Sequence, residues 1–165
     1  MSKSHEELLN EYGKLPERLE AAIAGLEESD LDLRLESGWS IREYVCHLVE
    51  GEQLWQINLR VIIGLNGVKF PFQWYFKHSQ DEWVEHWAYR KRSLKVMLDQ
   101  YRADTGYLVE LLENLPGVWN HYGRVTWPGA KEESRLTVHD IIEINLEHID
   151  VHSEDIRAIR ASHGC

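Results

Sequence analysis

Cysteine is scarce in this chain of 165 residues, which contains only Cys46 and Cys165. Two cysteines so far apart form neither a CxxC ligand pair nor a disulfide framework. Cys46 falls within an apolar helical stretch, so we interpret it as a small buried residue rather than a nucleophile. The absence of a disulfide framework favours a reducing cytoplasm as the location of the protein.

Positive charge is also scarce. The chain contains 18 Lys and Arg residues but 28 Asp and Glu residues, which gives a formal net charge of −10. Nucleic-acid binding requires clustered basic residues that neutralise phosphates, so we expect no nucleic-acid partner. No apolar run approaches the roughly 20 residues of a membrane span. The first residues contain no apolar segment typical of a signal peptide. We therefore expect no membrane association.

What the chain does contain is helical periodicity, with hydrophobic residues making up 43% of the total. Its length favours a single domain over residues 1–165. Four amphipathic segments predict an all-α fold, a four-helix bundle. The segments cover residues of about 4–28, 40–64, 81–113 and 137–162. Pro16 either restarts or kinks the first helix. Ser40 and Thr137 are the predicted N-caps of the second and fourth helices.

Two connections are long enough to need an interpretation of their own. Residues 69–80 are aromatic and irregular, which is typical of a lid or a packing loop. Residues 116–135 predict a long crossover loop between helices three and four, and loops of that length in compact domains are often functional. His121 and Arg124 lie in this loop. We interpret them first as surface residues, and second as side chains that reach a substrate.

Two of the nine histidines, His148 and His152, lie four residues apart on the predicted last helix. At that spacing both imidazoles project from one face and can close on one cation. They also lie on the apolar stripe that borders the bundle interior, where a neutral imidazole needs a partner. The residues alone leave two interpretations open, a metal-ligating pair or two hydrogen-bonded histidines at the margin of the core. Spacing and polarity by themselves favour the second.

His47, on the predicted second helix, is by itself best interpreted as an ordinary helix histidine. Gly51, one turn later, carries no side chain and therefore leaves room for another group to approach. The remaining histidines outside the long loop are interpreted as surface or cap residues: His5, His78, His86, His139 and His163.

Two separated motifs resemble the DinB/YfiT-like superfamily. Residues 38–50, GWSIREYVCHLVE, are similar to the pattern GWS-(I/V)-RE-x-x-x-HL of that family. Residues 136–157 resemble its last helix, in which an LT-(V/L)-x-(D/E) start precedes an HxxxH pair and a closing Ile-Arg. The resemblance implies a four-helix bundle in which one histidine of helix two and two of helix four bind a divalent metal. Residue by residue, these are His47, His148 and His152.

The resemblance further implies nickel or zinc as the metal and, for some members, a thiol-dependent transferase activity. Three imidazoles leave a coordination position open for water or substrate. We therefore expect a small metalloenzyme, a thiol-dependent S-transferase or hydrolase acting on small electrophilic metabolites or xenobiotics, with a low-molecular-weight thiol in the first case. The alternative is a non-catalytic, stress-related bundle whose metal site is structural or vestigial.

We also expect the protein to bind a small-molecule substrate and to form a homodimer. Apart from the metal ligands, no residue pattern indicates a catalytic nucleophile. Carboxylates that orient the ligating rings are expected near the site. The nearby candidates are Glu50, Glu143, Asp150 and Asp155.

Overall fold

A computed structural model describes residues 3–165 and shows a four-helix bundle with a small sheet at one end. The helices are α1 (His5–Tyr12), α2 (Leu15–Ile23), α3 (Ile41–Gly64), α4 (Gln80–His86), α5 (Leu94–Glu113) and α6 (Val138–His163). The strands are β1 (Val68–Lys69), β2 (Tyr122–Val125) and β3 (Ser134–Thr137). The first bundle helix consists of α1 and α2, and the others are α3, α5 and α6. The predicted all-α bundle is confirmed.

Local sequence determines where the helices begin. Pro16 lies in the first turn of α2, where its missing N–H removes no intrahelical bond, so the first predicted helix restarts at Leu15. Four helices begin with a capping box, in which a hydroxyl and a carboxylate each accept a hydrogen bond from the other residue's backbone N–H. These pairs are Ser4–Glu7, Ser40–Glu43, Ser79–Glu82 and Thr137–Asp140.

The parallel packing of α3 and α5 determines the path of the chain. Glu50 pairs with Arg92, just before α5, and further along both helices the guanidinium of Arg60 lies over the ring of Tyr107. Two parallel neighbours require a connection that returns along the bundle. Residues 65–93, which include β1 and α4, make this crossover.

The third predicted helix, over residues 81–113, is interrupted. Helix α4 ends at His86, Ala88 takes a left-handed conformation with φ 52°, and α5 starts after the N-cap Ser93. Trp83 stacks on Trp87 with ring centroids 4.5 Å apart. These apolar residues of the predicted third helix therefore pack within the crossover and not on the face of α5. Helix α5 itself continues through Gly106 without a break.

Residues 116–135, predicted as a loop, contain β2, which pairs antiparallel with β3 and parallel with β1. Gly123 is required in β2, because a Cβ there would lie 2.4 Å from ring atoms of Phe70. Within the aromatic segment 69–80, Phe70 and Phe72 are buried, as expected of a packing loop, whereas Trp74 is 45% exposed. Strands of two to four residues are too short for sequence periodicity to reveal.

The core is built from aliphatic residues of all four bundle helices, such as Leu19, Leu59, Leu108 and Ile149. Cys46 is fully buried, as predicted, and burial raises the pKa of its thiol to about 12. Among residues 3–165, no helix combines the length and the apolar character needed to cross a membrane.

Candidate metal centre

The contact between α3 and α6 brings the three predicted ligands together. His47 Nε2 lies 2.9 Å from His148 Nε2, and one nitrogen atom from each of His47, His148 and His152 lies within 4.8 Å of the others. The ring centroids are 4.7 Å apart for the pair on α6 and 4.8 and 5.1 Å for the pairs with His47. The i, i+4 spacing therefore supplies two nitrogen atoms from α6, and α3 supplies the third.

Gly51 permits this close approach. A Cβ at position 51 would lie 3.2 Å from Cε1 of His148 and 3.7 Å from its Nδ1. The space that the sequence predicted beside Gly51 is thus occupied by the imidazole of His148.

Burial keeps two of the three rings neutral. Burial, together with the nearby rings of His148 and His152, lowers the pKa of His47 to about 3. Burial and the neighbouring His152 likewise lower the pKa of His148 to about 4. Because a metal binds the neutral form of imidazole, both side chains are in the metal-binding protonation state at neutral pH.

Asp155 orients the third ring. Its carboxylate accepts a hydrogen bond from Nδ1 of His152 over 2.8 Å, which leaves Nε2 of that ring directed away from the carboxylate and available for a metal. The other three carboxylates predicted near the site pair elsewhere. Glu50 contacts Arg92, Glu143 contacts His139 and Asp150 contacts Arg18.

Two aromatic side chains border the cluster on one side. The ring of Trp39 lies 4.8 Å from that of His47, and the ring of Tyr44 lies 5.2 Å from that of His152. Trp39 and Tyr44 also contact each other at 5.4 Å across the start of α3, as a hydrophobic staple. Sequence reasoning missed both as site residues. The signal that indicates them is the pair of aromatic residues immediately before the N-cap and four positions into the helix.

The other polar residues of the 38–50 motif anchor the start of α3. Arg42 is buried and donates to the carboxylates of Glu28 and Asp32. The fully buried carboxylate of Glu43 accepts from the backbone N–H of Ser40 and from Arg90, each over 2.7 Å. These side chains hold the helix that carries His47.

The remaining candidates lie away from the cluster. His121 Nδ1 lies 3.2 Å from the carbonyl oxygens of residues 62 and 63, at the sheet end of α3, and Arg124 pairs with Glu133 in the β2–β3 hairpin. Arg124 is exposed, as in its first interpretation, whereas His121 is only partly exposed. His5 stacks on Trp119, beside His139, at the same end. His78 packs against His86 on the crossover, and His163 contacts the carbonyl of Arg34.

The donor set fits a divalent metal. Within residues 3–165, no fourth His, Cys, Asp or Glu joins His47, His148 and His152 in a common group of ligand atoms. Imidazole nitrogens suit zinc, nickel, copper and iron. Three protein ligands with an exchangeable fourth position are typical of catalytic rather than structural sites.

Comparison with known proteins identifies the family and agrees with the fold. The sequence pattern of the DinB superfamily matches residues 11–156. The chain belongs to the DinB superfamily. Its structure is similar to YfiT from Bacillus subtilis, described as a probable metal-dependent hydrolase with an unusual four-helix bundle topology. The TM-score is 0.82 at 19% sequence identity, over 99% of this chain and 91% of that one.

A second similar structure is that of an uncharacterized protein from Clostridium difficile 630, with a TM-score of 0.71 at 20% identity, over 98% of both chains. At these identities the two likenesses establish the fold. A search of curated protein sequences finds no match.

Proposed function

We propose that this DinB protein is a divalent-metal-dependent enzyme whose ion is bound by His47, His148 and His152. The observation that carries the proposal is the convergence of three ligand nitrogens within 4.8 Å, with no fourth His, Cys, Asp or Glu in the group among residues 3–165. The description of YfiT as a probable metal-dependent hydrolase supports the same class of chemistry. Zinc and nickel are the proposed ions.

His47, His148 and His152 would hold the ion, which when bound would provide a Lewis acid for activating water or a thiol or for polarising a carbonyl. The chain's own residues prepare the site for it. Asp155 holds the ring of His152, Gly51 admits the ring of His148, and Trp39 with Tyr44 borders one side of the site. We propose that the reaction is hydrolysis of a small electrophilic substrate, or transfer of a low-molecular-weight thiol to it.

Metal content tests the ligand set. Purified wild type, His47→Ala, His148→Ala and His152→Ala are incubated with Zn²⁺ or Ni²⁺, desalted and analysed for bound metal. His139→Ala is the matched control, because His139 also lies on α6 but contacts Glu143 at the sheet end. We expect about one ion per chain in wild type and control, and loss of the ion in the three variants. Undiminished metal content in His47→Ala and His148→Ala would refute the ligand set.

Turnover tests the enzyme. The metal-loaded protein is screened with small thiols and electrophiles, and separately with esters and amides, before and after chelation. Turnover that a chelator abolishes and added metal restores supports the proposal. Stoichiometric metal binding without turnover across both screens would instead favour the non-catalytic alternative.

A further inference from the structure

Trp39 lies beside the histidine cluster, and its only polar atom already makes a hydrogen bond. The indole N–H donates to Asp81 Oδ1 over 2.7 Å, and an indole has no other hydrogen-bonding group. The ring lies 4.8 Å from that of His47 and 6.4 Å from that of His152. The part of the ring next to the cluster is therefore entirely apolar.

Within the cluster the ring of His47 is buried, whereas those of His148 and His152 are partly exposed. Toward the sheet end, the ring of His148 packs against Gly51. Trp39, next to the buried His47, is also only partly buried. A ligand that reaches the metal site on the side of His47 therefore lies against the accessible part of the indole.

Two different elements hold the ring in place. Tyr44 contacts it from α3, at 5.4 Å, and Asp81 binds its N–H from α4, in the crossover between α3 and α5. A partly exposed aromatic side chain restrained in this way keeps one orientation, so it offers a preformed surface for a planar group.

We propose that Trp39 determines which ligands the site accepts, favouring those with an aromatic ring next to the metal-binding atom. The inference rests on the proposed function, that is, on metal binding by the three histidines. Aromatic rings pair well with an indole in stacked or edge-on arrangements. A cationic group is disfavoured at the same place because it would lie close to a divalent ion. The substrate class is therefore a neutral or anionic aromatic electrophile.

The test compares two ligands that bind metal through the same atoms. Protein loaded with Co²⁺ is titrated with acetohydroxamate and benzohydroxamate, and binding is followed by the visible absorption of the ion. The ratio of the two dissociation constants is compared among wild type, Trp39→Ala, Trp39→Phe and Asp81→Ala. The control is Trp74→Ala, since Trp74 lies on the crossover and is 45% exposed.

We expect the preference for benzohydroxamate to fall about tenfold in Trp39→Ala relative to wild type, and less in Trp39→Phe and Asp81→Ala. The Trp74 control keeps the wild-type ratio. A Co²⁺ spectrum with an unchanged ratio in Trp39→Ala overturns this inference alone. Absence of Co²⁺ binding in wild type overturns the proposed function as well. If Trp39→Ala does not fold, unchanged ratios in both Trp39→Phe and Asp81→Ala overturn the inference.

Discussion

Two polar side chains on different faces of α3 respond to burial in opposite ways. His47 is 9% exposed and Glu52 is 2% exposed. Burial lowers the pKa of His47 to about 3 and raises the pKa of Glu52 to about 7. Because burial penalises the charged form of any group, both shifts favour the neutral side chain.

The partners of the two side chains differ, and the difference separates a structural group from a binding group. Glu52 accepts hydrogen bonds from the hydroxyl of Tyr12 on α1 and from Nε2 of Gln56, so its carboxyl is satisfied within the core. His47 Nε2 faces another imidazole nitrogen, that of His148. The first arrangement ties α1 to α3, whereas the second leaves nitrogen donors that an ion can use.

The largest predicted effect concerns Glu52 and the pH dependence of stability. The folded pKa of about 7 lies above the ordinary 4.5, so the folded protein retains a proton that the unfolded chain releases. The contribution of Glu52 is full below pH 4.5 and is lost as pH rises to 7. Between pH 5 and 8 this loss amounts to about 2 to 3 kcal/mol. In Glu52→Gln we expect no such loss of stability. Urea unfolding of the metal-free protein at pH 5 and at pH 8 measures it.

In the same experiment the histidine cluster gives the opposite dependence of unfolding free energy on pH. The lowered pKa values of His47 and His148 contribute stability that is present above pH 6.5 and is lost as pH falls towards 3 or 4. Glu52→Gln should therefore show stability that rises with pH between about 4 and 6.5. Tyr12→Phe, which leaves the carboxyl in place, keeps the loss at higher pH. Identical pH profiles for wild type and Glu52→Gln would contradict the assignment.

The next effect concerns the packing of His148 against α3. In Gly51→Ala the new methyl group would lie 3.2 Å from Cε1 of His148, so the ring must move by a few tenths of an ångström from its place beside His47. We expect metal affinity to fall by up to about a hundredfold, as measured by competition with a chromophoric chelator.

Gly106→Ala is the matched control, since a Cβ at position 106 of α5 has no neighbour within 4 Å. Replacing a helical glycine by alanine adds about 1 kcal/mol of stability in open positions. The control should therefore stabilise the protein without changing metal affinity. Equal affinities for Gly51→Ala and wild type would show that the contact does not position His148.

The smallest predicted effect concerns Asp155. Without its carboxylate, Nδ1 of His152 loses the partner that sets the ring orientation, so Asp155→Ala should weaken metal binding about tenfold. Asp150→Ala is the control on the same helix, because Asp150 pairs with Arg18 at the surface. A similar loss of affinity in both variants would point to a general charge effect rather than to the hydrogen bond.

Helix starts could be predicted from the sequence because capping involves residues three positions apart. Ser40 with Glu43, and Thr137 with Asp140, begin the helices that carry the three histidines. The break at Ala88 could not be predicted, because no proline or glycine near it marks the end of a helix. The β2–β3 hairpin was also missed, since its four-residue strands are stabilised by pairing and by contact with Phe70.

By itself the sequence determined that His148 and His152 share one face of a helix, because that relation depends only on helical spacing. The motif resemblance added His47, and the family is confirmed. Local spacing also put Asp155 within reach of His152, three residues on in the same helix, and the structure selected it from the four predicted carboxylates. Only the tertiary structure decided that His47 meets the pair on α6, that Asp81 of α4 holds Trp39 beside the cluster, and that His121 lies at the opposite end of α3. Those relations depend on how α3, α4 and α6 pack, and packing between distant segments is not encoded in local spacing.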